Sequence, residues 1–234
     1  MCRLAAIVSM FLLSVLATPA AHAVGVTTYG IGLQPCSAYL DARDRNNSDQ
    51  VAFLDWLGGY FSGVNKTSNH RNNILGLSGL KGAMFKLDDY CRARPTVAFA
   101  EAAGMLIFTA KPGPAHAMEV ATYGSEAKTC GAYLAARTQE DMVDWGQFRD
   151  WIGGYLSGVN AMSLSTNSIL GNAELTQAVY WLDSYCGAHP VEAFGAAADA
   201  LVAANQRDQK KEPISRELRL TQSTPTNTQA QSSR

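Results

Sequence analysis

Two stretches of this 234-residue chain match each other along most of their length. Cys36-x-x-Tyr39, Arg43, Trp56-x-Gly58-Gly59-Tyr60-x-Ser62-Gly63-Val64-Asn65, Ile74-Leu75-Gly76, Leu87-Asp88-x-Tyr90-Cys91 and Pro95 make up the first. They return as Cys130-x-x-Tyr133, Arg137, Trp151-x-Gly153-Gly154-Tyr155-x-Ser157-Gly158-Val159-Asn160, Ile169-Leu170-Gly171, Leu182-Asp183-x-Tyr185-Cys186 and Pro190. The offset is 94 at the first cysteine and 95 from the tryptophan onward, so the second copy carries one extra residue between those two positions. An internal repeat limits the chain to one small folding unit used twice.

The N-terminus carries the three parts of a secretory signal peptide: Arg3, an apolar run from Leu4 to Ala17, and Ala21-His22-Ala23. The run has 14 residues and a spanning helix needs about 20, so it is read as a signal cleaved after Ala23 and not as an anchor. Cleavage removes Cys2 and leaves Cys36, Cys91, Cys130 and Cys186. An even count in an exported chain predicts disulfides. Each copy holds two cysteines, 55 and 56 residues apart, and a unit that folds by itself pairs within itself: Cys36 with Cys91, Cys130 with Cys186. Closing loops of that length stabilises each small unit by roughly 4 kcal/mol in the chain-entropy model. The mature chain has a formal charge of −2, which is no footprint for nucleic acid or an anionic membrane, and no later stretch is apolar enough to span a bilayer.

These features predict a signal peptide over 1–23, a first helical domain over 24–110, a linker over 111–121 around Lys111-Pro112-Gly113-Pro114, a second helical domain over 122–204, and a disordered polar tail over 205–234. Phe53, Trp56, Leu57, Tyr60, Phe61 and Val64 recur at helical spacing, as do Phe148, Trp151, Ile152, Tyr155, Leu156 and Val159. The repeated motif residues Trp56, Gly59, Tyr60 and Gly63, with Trp151, Gly154, Tyr155 and Gly158, are read as structural. Glycines inside a helix cost about 1 kcal/mol each, so another backbone must pack close there, and a contact inside each domain is the expectation. Asn65 and Asn160 are expected at helix ends. The fold class is all-α, two tandem four-helix domains: a short cysteine-bearing helix, the Gly-rich helix, a cysteine-ended helix and an Ala-rich helix opened by Pro95 or Pro190.

Catalytic signals are missing. The mature chain has three histidines, at 70, 116 and 189, none at metal-ligand spacing, and no nucleophile elbow, phosphate loop or His-Glu-x-x-His motif. No catalytic residue, metal or cofactor is expected. Asp88 and Asp183 are repeated carboxylates, better read as bonded to a neighbour such as Arg43 or Arg137 than as site acids. The segments 66–73 and 161–168 differ while the helices around them match. Lys66, His70 and Arg71 stand in the first and no charge in the second, which makes those three the candidate residues for an acidic protein partner.

The order Cys, Trp-x-x-Gly-Tyr-x-x-Gly, Tyr-Cys, Pro and an Ala-rich helix resembles the Tai-type periplasmic immunity proteins against type VI secretion amidases. It is also similar to the HdeA-type acid-activated chaperones. Trp56, Gly59, Tyr60, Gly63, Tyr90, Cys91 and Pro95 carry the likeness, with their second-copy equivalents. The resemblance implies HdeA-like helical domains in a bacterial periplasmic protein that binds another protein. A secreted cell-wall hydrolase is the partner implied by the first family, acid-stress clients by the second; a structural envelope role is the remaining alternative. The chain departs from both families in its duplication and its long polar tail.

Overall fold

The computed structural model describes residues 26–45, 47–68, 73–109, 123–138, 142–163 and 168–222. The expected signal peptide and the linker 111–121 lie outside the described residues. Each copy supplies four helices, as the repeat predicts. The first has α1 (Cys36–Arg45), α2 (Ser48–Thr67), α3 (Gly79–Ala93) and α4 (Phe99–Thr109). The second has α5 (Cys130–Thr138), α6 (Met142–Met162), α7 (Leu175–Ala188) and α8 (Phe194–Gln222). A short 3-10 turn precedes each set, Gly30–Leu33 and Gly124–Ala127. Among the described residues, extended pairing is limited to two isolated bridges, Pro35 with Ala98 and Thr129 with Ala193.

Each copy closes on itself in the same way. Cys36 is bonded to Cys91 and Cys130 to Cys186. Beside each disulfide, the start of the short helix is clasped to the turn before the Ala-rich helix. Cys36 N–H donates to Val97 O and Phe99 N–H to Gln34 O, both at 2.8 Å; Cys130 donates to Glu192 O and Phe194 to Lys128 O in the second copy. Pro95 and Pro190 sit in these turns, where their carbonyls accept from Ser37 and Gly131. They do not open the Ala-rich helices, which begin four residues later at Phe99 and Phe194. Phe53 and Phe99 meet edge to face beneath Tyr39, and Phe148, Phe194 and Tyr133 repeat the arrangement.

The Gly-rich helices do not pack as expected. Their close contact is between the copies, where α2 lies against α6 over a longer length than any other helix pair. A Cβ on Gly59 would stand 1.9 Å from Trp151 O, and one on Gly154 would stand 1.9 Å from Trp56 O. Gly63 meets Tyr155 O and Gly158 meets Tyr60 O in the same reciprocal manner. Gly59 and Gly63 are four apart and share a face, as do Gly154 and Gly158, so each pair lets the opposing backbone approach where any side chain would hold it off. Reciprocity of this kind is the mark of a two-fold, self-complementary interface, here made inside one polypeptide.

The rest of the repeated motif secures the same seam. Trp56 Nε1 donates to Tyr29 O (2.8 Å), while Tyr29 N–H donates to Ser157 Oγ of the other copy (2.9 Å). Trp151 Nε1 donates to Tyr123 O (2.6 Å), and Tyr123 N–H donates to Ser62 Oγ (3.0 Å). Tyr29 packs into the second copy's core and Tyr123 against the first's. Asn65 and Asn160 are not end caps. They are buried inside α2 and α6, and each Oδ1 accepts from a backbone N–H nine residues on, Ile74 (2.9 Å) and Ile169 (2.7 Å).

The polar tail is also shorter than its composition suggests. α8 runs on through residues 205–222. The chain there is rich in good helix formers, and Gln209 donates to the carbonyls of Ser168 and Ile169 (3.1 and 2.9 Å), tying the extension to the second copy. Residues 223–234 lie outside the described residues.

Gly59→Ala and Gly154→Ala test the seam. Backbone, not a flexible side chain, meets the new methyl in both, so each should destabilise the protein by about 1–3 kcal/mol or more, read as a fall in melting temperature by circular dichroism. Gly187→Ala, where a Cβ meets nothing within 4 Å, should leave it unchanged or raise it slightly.

Candidate functional site: one open groove and one filled one

The repeated acids are structural anchors. Asp88 Oδ1 accepts from Tyr39 Oη (2.8 Å) and Arg43 Nε (3.3 Å), and Oδ2 accepts from Arg43 Nη2 (2.9 Å). Asp183 is held by Tyr133 Oη (2.6 Å) and by Arg137 Nε and Nη2 (2.9 and 2.7 Å). Burial would raise the Asp183 carboxyl, but the Arg137 and Tyr133 bonds outweigh it and hold it below the ordinary value. This explains the Cys-x-x-Tyr-x-x-x-Arg and Leu-Asp-x-Tyr-Cys spacings: tyrosine and arginine one turn apart on the first helix grip the acid of the third. Among the described residues, no three His, Cys, Asp or Glu side chains are grouped to hold a metal ion.

The two copies part company beside the seam. In the first, a groove of about 950 Å³ opens between the end of α2, α4, the lead-in at Val26 and Thr28, and the end of α6. Leu33, Val64, Ile74, Met105, Ile107 and Phe108 make its walls chiefly apolar. Tyr60 lines it while only 3% exposed, and stacks on the buried Trp56. A Cβ on Gly104 would sit 3.4 Å from Tyr60 Oη, so the absent side chain of Gly104 leaves the phenol oxygen facing the groove. No described residue hydrogen-bonds it, and burial alone pushes its pKa up.

The equivalent place in the second copy carries charged side chains. Asp199 stands where the first copy has Gly104, and its carboxylate takes the Tyr155 hydroxyl through Oδ1 and the Lys66 ammonium through Oδ2 (2.7 Å). Lys66 is itself the counterpart of Ala161, which lines the first copy's groove. Glu126 replaces Gly32, another groove residue, and is buried. Burial raises its carboxyl, offset in part by a bond from Ser62 and the nearby Lys66 charge. Room for it comes from Gly195, whose Cβ would stand 2.3 Å from Glu126 Cγ; the first copy has Ala100 there. Three small residues of the open groove thus become two carboxylates and an ammonium in the closed one.

Of the candidate partner-binding residues, Lys66 belongs to the last turn of α2 and is committed to Asp199 across the seam. His70 and Arg71 lie outside the described residues. Sequence reading missed the groove because its defining positions, Gly32, Gly104 and Ala161, are far apart in the chain. The signal was present as departures from the repeat at 32/126, 104/199 and 161/66.

A second pair also escaped notice. Asp55 and Asp150 are counterparts on α2 and α6. Burial raises both; the Asp55 carboxyl reaches about 6, held back by Lys128 and pushed further by Asp150. Arg149 pairs with Asp150 at 3.3 Å, Lys128 is bonded to Gln147, and one oxygen of Asp55 has no hydrogen-bond partner.

Two intrachain disulfides belong to an oxidising compartment outside the cytoplasm, and no helix among the described residues is long and apolar enough to cross a membrane. No protein-family model, curated protein or solved structure matches the chain.

Asp55 gives a signed pH dependence. A carboxyl raised in the folded state binds its proton more tightly than in the unfolded chain, so folding stability grows as pH falls through about 6. Melting temperature should rise by a few degrees between about pH 7.5 and pH 5, a window in which the depressed Asp183 stays ionised. Asp55→Asn should raise the melting temperature at pH 7.5 and flatten this rise; an unchanged slope would place the proton elsewhere.

Proposed function

We propose that this chain is an exported, periplasmic, non-catalytic protein that acts by binding, with the first copy as the binding half and the second as its brace. One observation carries the reading: a shared scaffold holds an open apolar groove in one copy and a cluster of charged side chains at the same place in the other. Around that groove the large apolar side chains stand in solvent, Phe108 at 83% and Leu33 at 63% exposure, whereas their second-copy counterparts are Ala203 and Ala127. Clustered exposed apolar groups beside a rigid seam favour a protein partner docking at the rim. The resemblance to the Tai-type immunity proteins makes a secreted cell-wall hydrolase the partner to seek.

The acid-chaperone reading fits less well. A chaperone released by acid needs groups whose protonation loosens the fold. Asp55, Asp150 and Glu126 have raised pKa values, so their protonation tightens it, and these outnumber Asp183, whose depressed carboxyl loosens it only at more acid pH. A protein fixed by a glycine seam and two disulfides is better suited to present one preformed surface.

Affinity capture from periplasmic extract with mass spectrometry tests the proposal. The native protein should retain one dominant partner at neutral pH. Leu33→Glu with Phe108→Glu should cut its recovery at least tenfold, while Val191→Glu, equally exposed but remote from the groove, should not. Equal recovery with the rim variant would move the interface elsewhere, and a crowd of unrelated clients appearing only below about pH 4 would favour the chaperone.

A further inference from the structure

Resting on the reading that the first copy is the binding half, we propose that the interior of its groove, beneath the rim, is a site for a neutral molecule with a long apolar chain and one hydrogen-bond acceptor, such as a fatty-acyl ester. The acceptor is placed by Tyr60. Its ring is buried, its hydroxyl opens on the groove, and no described residue bonds that hydroxyl. Ser157 Oγ is already engaged, accepting from Tyr29 N–H and donating to Gly153 O, and Thr67 Oγ1 donates to Gly63 O. A ligand oxygen lying against the Tyr60 hydroxyl would accept that hydrogen in place of water.

The same inventory decides the class of ligand. An extended peptide laid along these walls would bury N–H and C=O groups with nothing to bond them, whereas an acyl chain has none to bury. Charge is decided by the lining too. Among the described residues Glu101 is the one charged side chain of the lining, so an anionic headgroup would meet no cation from them. The volume of about 950 Å³ lies within the range of small-molecule sites. The second copy shows how such a site is closed: Asp199 accepts a hydrogen bond from the Tyr155 hydroxyl and pairs with Lys66.

Isothermal titration of the purified protein with 1-monolauroylglycerol and, separately, laurate tests this below the concentrations at which either aggregates. The ester should bind with one site per chain, and laurate at least tenfold more weakly. Tyr60→Phe, which keeps the ring and the stack on Trp56, should weaken the ester about three- to tenfold, the loss of one hydrogen bond. Gly104→Asp should abolish binding by giving the first copy the second copy's acid, with circular dichroism reporting whether the helices persist. Absence of ester binding to the native protein overturns the proposal. So does binding that neither variant weakens, or laurate binding as tightly as the ester. In each case, partner capture that is lost with the rim variant would leave the binding role of the first copy standing.

Discussion

Backbone meeting backbone between α2 and α6 is the contact on which the rest of the molecule depends. Gly59, Gly63, Gly154 and Gly158 forgo side chains so that each helix can lie against the other's carbonyl groups. That approach determines what can stand nearby. It brings Ser62 within reach of Tyr123 N–H and Ser157 within reach of Tyr29 N–H, so each copy's lead-in segment is held by its own tryptophan and by the other copy's serine. Two small cores, each too thin to be robust alone, thereby share one wall. The disulfides staple each copy internally, and the seam supplies the constraint that joins them.

Much of the fold is legible in the sequence because the duplication presents each signal twice. The helical stripes and the cysteine pairing within each copy follow from local spacing or from the need of one unit to fold by itself, while Arg43 is one candidate partner for Asp88 in the sequence and the structure places it there. What periodicity cannot show is which backbone a glycine face meets. Gly59 reads the same whether its neighbour is α3 of its own copy or α6 of the other, so the expected contact inside the domain was a contact across the seam. Asn65 fails for a similar reason. Asparagine after a run of apolar residues suits a helix end, but here it is buried by the partner helix and its amide serves the turn at Ile74, a bond nine residues away that no cap rule contains. The extension of α8 was hidden because polar composition argues against burial, not against a helix anchored by Gln209.

The open groove was legible only as a set of mismatches. Gly32, Gly104 and Ala161 look unremarkable one at a time, and each lies among other differences between the copies. Their meaning appears once the seam brings the end of α6 beside α4. At that point the substitutions prove to be coordinated: Glu126 is admitted by Gly195, and Asp199 is neutralised by Lys66, which belongs to the opposite copy. Burying two carboxylates is costly unless charge and hydrogen bonds compensate; one ammonium and the Tyr155 hydroxyl do so for Asp199, while Glu126 is compensated only in part and keeps one oxygen without a hydrogen-bond partner.

Covalent duplication is what permits this division of labour. In a symmetric dimer of identical chains, any residue that fills one groove fills both, and any residue that opens one opens both. With both copies in one polypeptide, the seam can keep its reciprocal contacts while the flanking positions diverge. The seam positions did not diverge: the glycines, the tryptophans, the serines and the buried asparagines. Among the positions that did, Glu126, Asp199 and Lys66 meet at one place in the paired structure, where Lys66 reaches across to Asp199 and so makes the closure of the second groove depend on a residue from the first copy. Neither copy could be exchanged for the other without losing that pairing, and so the chain is a single asymmetric unit and not two beads on a string.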